Sequence, residues 1–407
     1  MQATKTPVQF TGKGGEYFGI WIVNLLLSIV TLGIYSAWAK VRRMKYFYNN
    51  TKIDGVGFDY HAAPLSILKG RIIAFVLFIL YAILSRFSPL MGGLLLLALF
   101  IATPWIIIRG MIFNARNSSH RGLRFDFTGK TIEAAKVFIL YPLLIIITIG
   151  LAFPFVMQRT NKFLFENHQF GTSNFKSEAL VKDFYMVYLK LLGVFVALGV
   201  VFALLVPKLL GSVMSPSASL NQNPIYQSQQ VQQATIHTGF IKVAKSANAA
   251  DEKDEESEDA LQANTPMDMY KQMGQAILAK LGLPMLALLI LLPFLLYGLA
   301  IAAMTAYLKS RISNLVWNNT NLENVGFVSN MHMRDLTWLY LTNGLAIIFS
   351  LGLATPWVQI RMARYKAEHL ALTGETDWDK FVGEKKESTK ALGGEMAEMF
   401  DMDISFG

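Results

Sequence analysis

The chain has 407 residues, 53% of them hydrophobic and 16% charged, with a formal net charge of +9 and no cysteine. A soluble domain carries nearer a quarter charged residues, so long uncharged apolar runs in this background read as a polytopic membrane protein. The lack of cysteine excludes disulfides, thiolate metal sites and thiol catalysis; the basic residues flank apolar runs, which points to loop orientation rather than nucleic acid.

In chain order, seven apolar segments stand out, roughly 17–39, 70–86, 90–108, 134–157, 185–206, 281–307 and 336–358. The first runs into Trp38-Ala39-Lys40-Val41-Arg42-Arg43 without a small-residue cleavage site, so it reads as a retained span. Arg86-Phe87-Ser88-Pro89 joins the second and third as a helical hairpin. Between the fifth and sixth lies a polar insert, 211–270, rich in Gln, Ser and Asn and then acidic from Asp251 to Asp259. That composition suits a disordered segment able to meet a protein partner. Residues 367–407 read as a polar, solvated tail.

One pattern recurs across these segments. Trp38, Arg42 and Tyr46 stand four residues apart, as do Trp357, Arg361 and Tyr365, and Phe155, Arg159 and Phe163. Trp105, Arg109 and Phe113 form a shorter version, and Tyr307 with Arg311 a fourth relative. Such residues share one helical face and suit a membrane interface, the ring at headgroup level and the guanidinium reaching phosphate or water. A ligand site at the Arg residues is the alternative.

The first, fourth and seventh segments also share a frame without gaps. An acid lies 22 residues before the aromatic (Glu16, Glu133, Asp335) and a polar residue 14 before (Asn24, Tyr141, Asn343). A Gly lies five before, and the Arg four after. Internal repeats follow: span plus hairpin over 1–125, span plus interrupted hairpin over 126–327, and a single span over 328–366. From acid to aromatic is ~33 Å of helix, close to a bilayer's hydrocarbon thickness.

The expected fold is therefore all-α, a polytopic bundle of about seven transmembrane helices in a 3+3+1 repeat. Units with an odd number of crossings would be inverted relative to one another. The alternative for segments one, four and seven is a re-entrant hairpin bent at the Gly. It would leave Arg42, Arg159 and Arg361 at membrane depth at a cost of several kcal/mol each. Basic loops 40–71 and 109–131 would face the cytoplasm, with the N-terminus outside and the insert and C-terminus inside. Full crossing lets Arg42 pair with Glu133, or Arg159 with Glu16, across antiparallel neighbours.

The stretch GIYSAWAKVRRMKYFYNNT, preceded by FTGKGGEYFGIWIVNLLLSIVTL and followed by DGVGFDYHAAP, resembles the YjgN family of bacterial inner-membrane proteins. The likeness covers most of the chain; the polar insert at 211–270 and the tail are less typical of the family, and nothing is carried over to them. It implies a multi-pass inner-membrane protein and supplies no catalytic residues.

Little enzymatic chemistry is visible. His61, His120, His168, His237, His332 and His369 form neither HExxH nor an i, i+4 ligand pair. No phosphate loop or G-x-S-x-G elbow is present, so no enzyme activity and no cofactor is expected. Asn24 and Asn343, in mid-span, either hydrogen-bond between helices or line a polar cavity. Two functions follow: a transporter or channel for a small solute or lipid, or a membrane scaffold or lipid-interacting envelope accessory protein that uses its Arg and aromatic girdles on anionic headgroups.

Overall fold

The computed structural model describes residues 5–214 and 266–374. Its ten strands close into one antiparallel barrel, and the helices leave that barrel and return to it. Five units repeat the plan strand, helices, strand. The first is β1 (Lys5–Phe10), α1 (Gly14–Val30), α2 (Ser36–Asn50) and β2 (Thr51–Ile53). The second is β3 (Val56–Tyr60), α3 (Pro64–Phe87), α4 (Pro89–Arg116) and β4 (Ser118–His120). The third has β5 (Leu123–Phe127), α5 (Thr131–Ala135), a π-helical turn at Lys136–Leu140, α6 (Tyr141–Ile147), α7 (Phe153–Glu166) and β6 (His168–Phe170). The fourth has β7 (Ser173–Ser177), α8 (Val181–Met214), α9 (Pro266–Asn318) and β8 (Thr320–Leu322). The fifth has β9 (Val325–Ser329), α10 (Met333–Phe349), α11 (Thr355–Glu368) and β10 (Leu370–Thr373). Of the described residues, 191–214 and 266–296, parts of α8 and α9, belong to a second compact unit of their own.

Tight turns join one unit to the next. Asp54 and Gly55 (φ 51° and 74°) turn β2 into β3, and Arg121 and Gly122 (φ 50° and 82°) turn β4 into β5. Left-handed pairs of this kind match the twist of a two-residue hairpin. The ring closes between the two ends of the chain, with Lys5 opposite Thr373 and Pro7 opposite Ala371. One latch recurs in all five units. The residue after each outgoing strand donates its backbone N–H to the residue that ends the returning helix. The pairs are Thr11 to Asn50, His61 to Asn117, Thr128 to Asn167, Glu178 to Asn319 and Asn330 to His369, at 2.8–3.1 Å. Asn50, Asn117, Asn167 and Asn319 each donate Nδ2 to the carbonyl four residues back, which satisfies an otherwise open helix end.

The barrel interior is packed. Val8, Phe10, Ile53, Phe170, Phe175, Leu322, Val325 and Leu372 form one buried cluster with Tyr17 of α1 and Ile360 of α11, and Phe58, Phe125 and Phe327 lie against it. Phe125 and Phe170 have ring centroids 4.9 Å apart, and Phe58 sits 4.5 Å from His120.

This architecture corrects the all-α, seven-helix expectation. Among the described residues, four helical stretches are long and apolar enough to cross a membrane: Pro64–Phe87, Pro89–Arg116, Val181–Leu205 and Leu291–Asn318. The first, fourth and seventh apolar segments instead fold back on themselves. At Leu32-Gly33, Ile149-Gly150 and Leu351-Gly352 the backbone turns left-handed at both residues, with φ near 50° and 90°. The three glycine N–H groups donate to Ser28, Ile145 and Ile347, five residues back, at 2.7–2.8 Å, a Schellman closure. Hydroxyls of Thr31, Thr148 and Ser350 then accept the N–H of the residue four on, starting the returning helix.

A helix the length of α1, 17 residues, reaches ~25 Å before it turns, short of a full bilayer crossing. The inverted 3+3+1 arrangement is excluded as well, because every unit starts and ends in the same barrel. The N-terminal and C-terminal strands are neighbours, so the expectation of ends on opposite membrane faces is corrected too. The insert at 211–270, from residue 215 to 265, and the tail beyond residue 374 lie outside the described residues.

Candidate functional site

The repeated Arg becomes intelligible once the hairpins are bent. Asn24 and Arg42 are each nine residues from Gly33, so folding at the Gly brings them face to face. Arg42 Nη1 donates to Asn24 Oδ1 at 3.3 Å and to the Tyr35 hydroxyl at 3.0 Å. The fifth unit repeats this with a tighter contact, Arg361 Nη1 to Asn343 Oδ1 at 2.8 Å and Nη2 to Thr342 Oγ1 at 3.0 Å. In the third unit an aromatic stands in for the amide. Tyr141 packs edge-on against Phe155 at 5.5 Å, and the Arg159 guanidinium lies 5.1 Å over the Phe155 ring. Returning nine residues from the turn carries each Arg ~14 Å back toward the barrel. A hairpin bent at the Gly thus holds its Arg away from the tip.

All five units carry the motif at the same place, on the helix that returns to the barrel. Arg42, Arg109, Arg159, Arg311 and Arg361 are all exposed, each four residues after Trp38, Trp105, Phe155, Tyr307 or Trp357. Arg109 sits 5.5 Å over the Trp105 ring, and Trp357 packs on Phe18 at 4.9 Å. A seven-span arrangement would put Arg159 and Arg311 on the face opposite Arg42. The barrel puts all five on one side, as a girdle.

The acids of the frame lie at helix starts: Glu16 in α1, Glu133 in α5, Asp335 in α10. There they favour the positive end of the helix dipole. Glu16 is 3.5 Å from Lys13 and accepts the Tyr46 hydroxyl at 3.3 Å. The partners of Arg42 therefore come from its own hairpin rather than from Glu133.

Between the barrel ends of α8 and α9 lies an open groove of about 330 Å³. It is lined by Asp183, Met186, Val187, Lys190, Tyr307, Arg311 and Leu315. The Tyr307 hydroxyl is held by the Val187 carbonyl at 3.1 Å, which fixes one wall. Lys190 and Arg311 give the groove two cations against the single carboxylate of Asp183.

A second cluster escaped the sequence reading. His332, Asp335 and His369 come together at the fifth unit's junction with the barrel, their ligand atoms all within 4.8 Å of one another. The signal was present as a His three residues before an Asp at a helix start. The third member is 34 residues further on in the sequence. Only the backbone latch between Asn330 and His369 brings it near. Two other imidazoles belong to the barrel. Burial pushes His168 down to about 4, partly offset by its contact with the Leu164 carbonyl, and burial likewise lowers His120. Both stay neutral at pH 7.

Comparison with known proteins fits this picture. A family described as "Bacterial protein of unknown function (DUF898)" matches residues 5–399. The chain is 25% identical to a Salmonella typhimurium protein named "Inner membrane protein YjgN", over 93% of this chain and 91% of that one. Proteins of the same name from Escherichia coli O157:H7 and K12 are each 24% identical, over 94% of this chain and 92% of theirs. No solved structure matches. The family match spans the barrel strands, the three bent hairpins and the Arg girdle alike: the chain belongs to the DUF898 family of bacterial proteins and is similar over nearly its whole length to the YjgN inner membrane proteins.

Proposed function

We propose that this is a non-catalytic bacterial inner-membrane protein that binds anionic lipid headgroups and organises the leaflet on its barrel side. The observation that carries the reading is the girdle, five exposed Arg residues, each with an aromatic one turn away, on five helices returning to one barrel. Rings at headgroup depth and guanidinium groups beside phosphates are the chemistry of such a surface. Three hairpins add apolar wedges. Their tips, Leu32, Ile149 and Leu351, are 93–94% exposed, and side chains of that kind belong in hydrocarbon. Lys and Arg cluster at the barrel end of the units, which favours a cytoplasmic barrel with both chain ends inside.

A transporter or channel is less well supported. That role needs the mid-depth amides to line a polar path, whereas Asn24 and Asn343 give their oxygens to Arg42 and Arg361. Apolar side chains, phenylalanines prominent among them, pack together across the barrel strands.

The test is lipid retention. Protein purified in mild detergent should retain anionic phospholipid in excess over zwitterionic lipid. Each basic residue near a headgroup contributes about 1 kcal/mol, so Lys190→Gln with Arg311→Gln should weaken anionic-lipid binding in nanodiscs roughly thirtyfold. Equal retention of both lipid types, or an unaffected double variant, would refute the reading; uptake of a solute by reconstituted vesicles would restore the transporter.

A further inference from the structure

We propose that His332, Asp335 and His369 form a binding site for a divalent first-row transition metal, Zn²⁺ or Co²⁺ in class. Two imidazoles and a carboxylate are a set these ions favour, with the remaining coordination positions open to water. The donor atoms lie within 4.8 Å of one another. Ligands 2.0–2.2 Å from a shared ion stand about 3.4 Å apart, so small side-chain rotations close the site.

Three features hold the groups ready. His369 Nδ1 lies 2.8 Å from the Tyr365 carbonyl, an acceptor, so Nδ1 carries the proton and Nε2 keeps its lone pair for a metal. The Tyr365 ring stacks on His369 at 4.1 Å. Its hydroxyl accepts the His332 N–H at 3.0 Å and donates to the His332 carbonyl at 3.2 Å. One tyrosine therefore fixes both histidines. His332 and Asp335 are then placed by the first turn of α10, where His332 is the capping residue.

The repeats supply an internal comparison. Every position here has its counterpart 319 residues earlier: Lys13 for His332, Glu16 for Asp335, Tyr46 for Tyr365 and Asn50 for His369. Tyr46 makes the same two hydrogen bonds, to the backbone of Lys13. The scaffold is shared, and the metal-ligating side chains occur in the fifth unit. In the first unit a Lys and an Asn stand there, and in the third Lys130 and Asn167. An ammonium cannot ligate while protonated, so those units lack the chemistry.

The comparison also gives the test. His369→Asn and His332→Lys restore residues that the other units use on the same backbone, so the variants should fold with their helix ends still capped. Untagged full-length protein in detergent should bind one equivalent of Co²⁺ with the visible absorption of a nitrogen and oxygen site. Zn²⁺ should displace the Co²⁺ and raise the melting temperature. Each variant should bind at least ~100-fold more weakly, beyond the 10–100-fold typical of losing an outer-shell partner, with an unchanged metal-free melting temperature. Absence of a stoichiometric Co²⁺ spectrum, or equal binding by His369→Asn, would overturn the proposal.

Discussion

Phe170→Ala is expected to lower the stability of the detergent-solubilised protein by about 3–5 kcal/mol, the cost of deleting a fully buried aromatic. Phe170 is 2% exposed and lies 4.9 Å from Phe125 inside the barrel. Its ring lies in a cluster fed by most of the strands, so the strands cannot easily collapse into the space it leaves. Phe87, 82% exposed at the end of α3, provides the contrast, since its truncation should leave stability in detergent almost unchanged. Denaturant unfolding read by tryptophan fluorescence would compare the two. A loss below about 1 kcal/mol for Phe170→Ala would mean that the barrel is not packed.

The second large effect is expected at the hairpin tips. Replacing Leu32, Ile149 and Leu351 together by Asp should abolish most membrane-inserted protein. An aspartate in the hydrocarbon costs about 2.5–3.5 kcal/mol on the insertion scale, and three well-separated sites should nearly add. Their sum is comparable with the entire stability of a typical domain. The turns themselves are not the weak point, because Leu32 has φ 50° and Asp tolerates that conformation better than Leu. Insertion yield in membranes is the readout. Wild-type yield from the triple variant would place the tips in water and remove the wedges from the account.

What was legible in the sequence was chemistry at fixed intervals. The membrane class follows from composition, and the frame joining Glu16, Asn24, Gly33, Trp38 and Arg42 to Asp335, Asn343, Gly352, Trp357 and Arg361 is visible without a structure. The direction of travel was not. Thr31-Leu32-Gly33-Ile34 carries no charge and continues a helical pattern on both sides, so it reads as a loosened helix. Its turn rests on a backbone hydrogen bond and a hydroxyl cap, neither of which periodicity reveals. Depth was then misjudged, since acid and Arg seemed a bilayer apart when Arg42 had already come back beside Asn24.

The barrel was hidden for a different reason. Strands such as Thr51–Ile53 and Ser118–His120 have three residues each, too few for alternation to register. The closing strand Leu370–Thr373 lies where composition suggests a solvated tail, and its partner is at the other end of the chain. The Asn that ends four of the five returning helices was visible in Tyr48-Asn49-Asn50-Thr51 and its echo Trp317-Asn318-Asn319-Thr320. Its meaning as a cap at the edge of a fivefold ring needed the ring. His369 falls at that same position, which is why the cluster of His332, Asp335 and His369 is invisible along the sequence and evident across units.

The central claim is that the two ends of the chain meet in one barrel on one side of the membrane. It is tested most directly by cross-linking Lys5→Cys to Thr373→Cys, residues directly opposite each other in the closing strand pair. The native chain has no cysteine, so any disulfide is the engineered one. Directly opposed residues place Cβ atoms ~4.5–5.5 Å apart, close enough for a bond after slight adjustment. Mild oxidation of isolated membranes should convert most of the double variant to a circular monomer of altered gel mobility, reversed by reductant and absent from either single variant. A double variant that stays linear, with the two cysteines labelled from opposite faces of the membrane, would contradict the closed barrel.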